Sequence, residues 1–163
     1  MPELRAKQGT ELEQDNGLLF VKRRNIGAMM ALEAEQTVEI DAVNTPKKIN
    51  GATVAPRLFD FDMPEPGRLR YIGDDPIVTN CAASLTLKTA GNNKVCNIYF
   101  AKNGVVATPS RVEIRTSMKE DERSGTALFL CEFEKNDYME IFVENATDSI
   151  NITVNSMTVT TRG

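Results

Sequence analysis

The sequence predicts an all-β sandwich or barrel preceded by an extended N-terminal arm. Three observations carry that reading. Across roughly the last hundred residues, strand-like segments recur between turn signals about every ten residues, the spacing of a sandwich or barrel. No long segment there carries a helical period. The first 34 residues differ: Gly9, Gly17 and Gly27 break them up, and only Leu18 to Val21 and Ile26 to Leu32 are apolar. A chain of 163 residues fits one domain with about thirty residues to spare. The expected division is therefore an arm over residues 1–34 and a sandwich over 35–163.

Within the sandwich, Thr37 to Val43 and Lys47 to Ile49 read as short strands split by Thr45-Pro46. Met63 to Gly67 then introduces a strand over Arg68 to Ile72. From Ile77 to Lys88, period-two alternation puts Cys81, Ala83, Leu85 and Leu87 on one face and Ala82, Ser84, Thr86 and Lys88 on the wetter one. Val95 to Lys102 meets Asn103-Gly104 and then Val105 to Ala107, a hairpin whose turn residues tolerate positive φ. Val112, Ile114, Thr116 and Met118 alternate with charged residues before the loop Lys119 to Arg123. Ala127, Phe129, Cys131 and Phe133 form one face of the next strand, yet Leu128 and Leu130 lie on the other. A sandwich needs one buried face per sheet, so this second apolar face predicts contact with another subunit. Lys135-Asn136-Asp137 turns the chain into Tyr138 to Glu144, and Ile150 to Thr160 forms the last strand.

Composition removes several function classes. A formal charge of -4 and a pI near 5.0 oppose nucleic-acid binding, which relies on clustered cations releasing counterions. The basic cluster Lys22-Arg23-Arg24, flanked by Asp15 and Glu33, reads instead as a solvated or protein-binding face. No apolar run approaches the ~20 residues of a membrane span, and the polar start has no secretory pattern, so assembly in a cytoplasm is expected. Cys81, Cys96 and Cys131 are odd in number and widely spaced, the pattern of small buried hydrophobes and not of a disulfide or zinc framework. The chain has no histidine, hence none of the commonest general base or transition-metal ligand.

The remaining constellations favour bland readings. Asp60-Phe61-Asp62 and Asp74-Asp75 offer oxygen ligands, but neither a glycine-anchored loop nor a terminal bidentate glutamate accompanies them, so no metal is expected. Asn145-Ala146-Thr147 and Asn151-Ile152-Thr153 fit a glycosylation pattern too short to weigh without secretion. Glu132, Glu134, Glu140 and Glu144 are expected on solvated strand faces and not as a glycosidase pair. No nucleophile–base pair is legible, so neither catalysis nor a cofactor is expected.

A set of motifs, specific in combination, carries a family resemblance. These are Gly67-Arg68-Leu69-Arg70-Tyr71-Ile72-Gly73, Gly91-Asn92-Asn93-Lys94, Ile98-Tyr99-Phe100-Ala101-Lys102-Asn103-Gly104, Asn136 through Asn145, and Asn151-Ile152-Thr153-Val154, preceded by Val43 through Gly51. In order and spacing they resemble a jelly-roll module of tailed-phage virion proteins, over roughly residues 36–162. The resemblance implies an antiparallel jelly roll like the tumour-necrosis-factor and complement globular heads, trimeric, and found in capsid decoration proteins, head fibres and tail-fibre tips. Among these homes the leading expectation is a homotrimer that decorates the capsid exterior, with the major capsid protein as partner, while charge and hydropathy oppose nucleic acid and membrane.

The arm is not covered by that resemblance. Its residues Leu18, Leu19, Phe20 and Val21 form an extended apolar tetrad suited to a sheet edge or a groove, and Lys22, Arg23 and Arg24 supply cations for acidic capsid residues. This is the expected capsid-binding segment; the opposing expectation is a strap on the protein's own sandwich. A receptor-binding role, through the loops Lys119 to Arg123 and Asn145 to Ser149, is the alternative function. Against it, the chain has no tryptophan, and Tyr71, Tyr99 and Tyr138 all fall within strands.

Overall fold

A computed structural model describes residues 10–15, 18–23 and 25–163, the first two stretches through their backbone. Two antiparallel sheets face one another. One contains β3 (Gly27–Leu32), β4 (Gln36–Val38), β6 (Thr53–Phe59), β9 (Ile77–Thr89), β13 (Arg123–Phe133) and β15 (Ile152–Arg162), in the order β13-β9-β15-β3-β6, with β4 also on β15. The other contains β5 (Lys47–Lys48), β7 (Phe61–Glu65), β8 (Arg68–Tyr71), β10 (Lys94–Lys102), β11 (Val105–Val106), β12 (Val112–Thr116) and β14 (Tyr138–Asn145). Its path is β11-β10-β14-β8-β7, with β12 on β10 and β5 on β14. From β8 onward the chain repeatedly crosses between the sheets, so sheet neighbours are distant in sequence, as in a jelly roll. Among the described residues the only helical element is a 3-10 turn, Thr108–Ser110.

The period-two pattern accounts for the core. In β9 the residues from Ile77 to Thr89 alternate, with Ile77, Cys81, Ala83, Leu85 and Leu87 all buried. Facing residues of the second sheet include Ile98, Phe100, Ile141 and Val143. Phe61, Tyr71 and Phe133 fill one end, with ring centroids 5.3 Å apart for Phe61 and Tyr71 and 5.5 Å for Phe61 and Phe133. Asn103 at φ 52° and Gly104 at φ 77° make the turn joining β10 to β11, as the Asn-Gly pair predicts. Cys81, Cys96 and Cys131 are buried free thiols.

Several expectations need correction. Gly27–Leu32, part of the arm in the sequence reading, is β3, an inner strand between β15 and β6 with Met30 in the core. The sandwich therefore starts before residue 35. Its small residues Gly27, Ala28 and Ala31 hide the alternation that would mark a strand. Thr53–Phe59 and Phe61–Glu65 are strands that the prolines Pro56 and Pro64 obscured; both lie on sheet edges, where a missing N–H is tolerated. Asp60, at φ 60°, makes the bend by which the chain passes from one sheet to the other. The strand expected over Thr37 to Val43 shrinks to Gln36–Val38, and Met118 is exposed beyond the end of β12. Glu140 and Glu144 are not solvated but buried.

Candidate functional site

Among the described residues, the outer face of the six-stranded sheet exposes a row of apolar side chains. Pairing of β13 with β9 sets Leu128 beside Ala82, Leu130 beside Asn80 and Glu132 beside Val78. On the far side of β9, Thr160 of β15 flanks Ala82 and Arg162 flanks Asn80. The first row continues through Met29 of β3 to Arg57 of β6, the second through Gly27 to Phe59. Because the core-facing positions are already taken by Ala127, Cys131 and Phe133, alternation forces Leu128 and Leu130 outward. Leu128 is 72% exposed and Leu130 63%, and Val78, Phe59 and Val54 are exposed on the same face. Between the two leucines and Thr160 and Arg162 lies a shallow depression of about 410 Å³, floored by Asn80 and Ala82.

Isolated exposed hydrophobes are ordinary, but leucines aligned at two-residue spacing on an eleven-residue edge strand are not. Covering both would contribute about 3–6 kcal/mol. Among the described residues the long outer edge of β13 is unpaired, the kind of surface that proteins either protect or use for association.

On the outer face of the other sheet the buried carboxylates have partners within the chain, although Asn97 Oδ1 has none among the described residues. The buried Glu140 carboxylate accepts from Arg68 Nε at 2.9 Å and pairs with Lys48 at 2.8 Å, while the Arg68 guanidinium stacks 4.0 Å from the centre of the Tyr138 ring. Glu144 accepts from Asn97 at 2.6 Å and from the Tyr99 hydroxyl at 3.0 Å. Burial, and then the Glu144 carboxylate, push the Tyr99 phenol upward. Four residues apart along β14, Glu140 and Glu144 are separated by about 13 Å of strand, too far for a paired-carboxylate mechanism. Burial holds Cys96 and Cys131 up at about 12, far from a nucleophilic thiolate. No metal-binding group of side chains occurs among the described residues.

The two loops considered for host contact gather at one end of the sandwich. Lys119 N donates to Asn92 Oδ1, Lys94 pairs with Asp148 at 2.6 Å, and Val95 N donates to Thr147 Oγ1. Asn145 braces its own loop, accepting from Thr147 N and Asp148 N and donating to the Ile150 carbonyl.

Of the expected capsid-binding segment, Leu18, Leu19, Phe20, Val21, Lys22 and Arg23 form β2 (Leu18–Arg23), which pairs antiparallel with β1 (Thr10–Asp15) in a separate two-stranded sheet. Arg24, and the side chains of the other six, lie outside the described residues. The apolar outer face of β13 was legible as alternation; the contributions of Met29, Phe59 and Val54 were not, since β3 and β6 were not recognised as strands.

No protein-family model and no curated protein sequence matches this chain. Among solved structures it resembles murine APRIL, with a TM-score of 0.52 at 8% identity over 84% of this chain and 99% of that one. The fold is that tumour-necrosis-factor-like jelly roll. Looser likenesses are the Eiger TNF of S. frugiperda, at TM-score 0.49 and 10% identity over 86% of this chain and 94% of that one, and the PRD1 vertex protein P5, at 0.48 and 6% over 85% and 96%.

Proposed function

We propose that this chain is a structural virion protein that assembles as a homotrimer and decorates the outside of a phage capsid, stabilising the shell. The apolar outer face of β13, β9 and β15 carries the assembly: it needs a partner, and a second and third copy of the chain supply one through closed cyclic symmetry. The virion setting rests on the motif resemblance over residues 36–162. In this reading the major capsid protein of the same virus is the partner, Leu18 to Arg24 do the fastening, and the protein is assembled in the host cytoplasm without nucleic acid or membrane. Three arms on one trimer rebind at high local concentration, raising avidity by ~10²–10⁴ over one arm. Fastening then works by mass action.

Native mass measurement tests the assembly and cosedimentation with undecorated shells tests the partner. The reading expects three copies at micromolar concentration, and occupancy of shells that falls when Phe20→Asp sets a charge within the apolar tetrad. A stable monomer, or shell binding untouched by loss of residues 1–24, opposes it. A receptor-binding role is the second reading, favoured by the loops gathered around Asn92, Lys119 and Asp148. It expects binding to host cells in preference to shells.

A further inference from the structure

The outer face of the six-stranded sheet carries charge as well as apolar surface, and the charge is unevenly distributed. At one end of the face Lys88 lies between Glu35 and Glu120, at 3.3 and 3.4 Å, and Glu122 accepts from Asn155. Arg123 is held by Asp121 at 2.9 Å. Those groups satisfy one another. The other charged residues on the strands of this face are Glu132, Arg162 and Arg57, none of which forms an ion pair among the described residues; Glu132 lies within electrostatic reach of Lys102, but the ammonium of Lys102 is bound by Asp137. Glu132 is on the edge strand β13, two residues beyond Leu130, whereas Arg162 is on β15 at the rim of the depression. Two inter-strand spacings, across β9, and an offset of two residues separate them, roughly 12 Å of backbone.

We propose that Glu132 of one copy pairs with Arg162 of the next, setting the register in which the β13 edge of one protomer packs on the sheet face of its neighbour. This inference rests on the trimeric reading above and adds the chemistry that orients it. A ring of three joins unlike patches, so each copy offers an acidic edge to one neighbour and a basic face to the other. Leu128 and Leu130 supply the buried area beside the pair. As the leucines exclude water, the pairing gains strength and penalises any register that leaves either charge covered and alone. Arg57, on the outermost strand β6, lies beyond the depression and has a lesser part.

Sedimentation equilibrium and native mass spectrometry on the full chain test this, using Glu132→Arg, Arg162→Glu, the double reversal Glu132→Arg/Arg162→Glu, and Arg57→Glu. All the altered side chains are exposed, and circular dichroism confirms that each variant is folded. Each of the first two single reversals is expected to raise the dissociation constant of the trimer at least about tenfold, and the double reversal to return it to within about threefold of the parent. Arg57→Glu is expected to change it by less than about threefold. A trimeric parent with indifferent single reversals, or a double reversal that compounds the two losses, overturns the pairing and leaves the trimer standing. A monomeric parent overturns both.

Discussion

Two N-terminal truncations separate what folds the sandwich from what precedes it. Removing residues 1–24 leaves every strand of both sheets of the sandwich in place. Removing residues 1–34 also deletes β3, and the cost follows from its contacts. Met30 is 1% exposed and Ile26 7%, so taking both side chains from the core loses about 3–6 kcal/mol. β6 loses the neighbour to which it is paired across five residue positions, and β15 loses its partners from Thr158 to Arg162. The Gly163 N–H also loses the Ile26 carbonyl. Stripping hydrogen bonds from a central strand adds at least a few kcal/mol, and domains of this size have only about 5–15 kcal/mol in total. The shorter truncation is expected to melt cooperatively within about 2 °C of the parent, and the longer one to be unfolded or insoluble. Circular dichroism melts and limited proteolysis read both outcomes. A soluble, cooperatively melting protein lacking residues 1–34 would refute the assignment of β3 to the core sheet.

Further predictions concern strain, thiols and acid. Gly67 and Gly104 share a positive φ, but a Cβ on Gly67 would sit 2.5 Å from the Ile49 carbonyl oxygen, whereas on Gly104 it would meet only the Tyr138 hydroxyl at 3.5 Å. Gly104→Ala should cost about 1 kcal/mol and Gly67→Ala at least twice that, a difference of several degrees in Tm; equal losses would count against the backbone geometry. With burial holding Cys96 and Cys131 at about 12, the native protein should resist a thiol reagent at pH 8 and react only as it unfolds. Prompt labelling of any of the three thiols opposes this. Ser117 N–H and then Arg123 hold Asp121 below the usual carboxylate range, and at Asp137 the bonds from Lys102, Asn103 and Glu134 N–H outweigh a burial that would raise it. Carboxyls depressed in the folded state stabilise it above their unfolded value of about 3.9 and lose that contribution as pH falls through the folded value. Tm should therefore be flat from pH 7 to about 5 in a chain without histidine, and fall below about pH 4. Asp137→Asn should melt lower than the parent at pH 7 and match it near pH 2; a constant gap across that range contradicts the linkage.

The strands legible in the sequence are those in which one face is core and the other is wet. β9 and β13 show period two because the residues at Cys81, Ala83 and Leu85 meet the second sheet while Asn80 and Ser84 do not. β3 escaped because glycine and alanine signal neither face, and β6 and β7 because Pro56 and Pro64 imitate a turn while resting on sheet edges. Burial of Glu140 and Glu144 was invisible for a different reason. Their partners come from elsewhere in the chain: Arg68 and Lys48 for the first, Asn97 and Tyr99 for the second, and no local pattern records a cross-strand pairing. The apolar face of the candidate surface was half legible. Leu128 and Leu130 were legible because the alternation places them, apolar, on the face opposite Ala127, Cys131 and Phe133, but the charges bordering them acquire meaning only once β15 is known to lie on the far side of β9 from β13.

The position of β15 has a consequence for the newborn chain. It occupies the middle of its sheet, between β9 and β3, yet of all the sandwich strands it leaves the ribosome last. About 120 residues separate the end of β3 from the start of β15, which at ~5–20 residues per second is on the order of ten seconds of translation. During that interval β3, and β9 once it has been made, each present an open edge to the crowded cytosol, where neighbouring nascent chains of the same message carry identical edges. Non-local pairing of this kind is slow as well as late. High expression therefore exposes this protein to co-translational aggregation before any question of its folded stability arises, and slowing synthesis or lowering temperature during production acts on that waiting period and not on the finished sandwich.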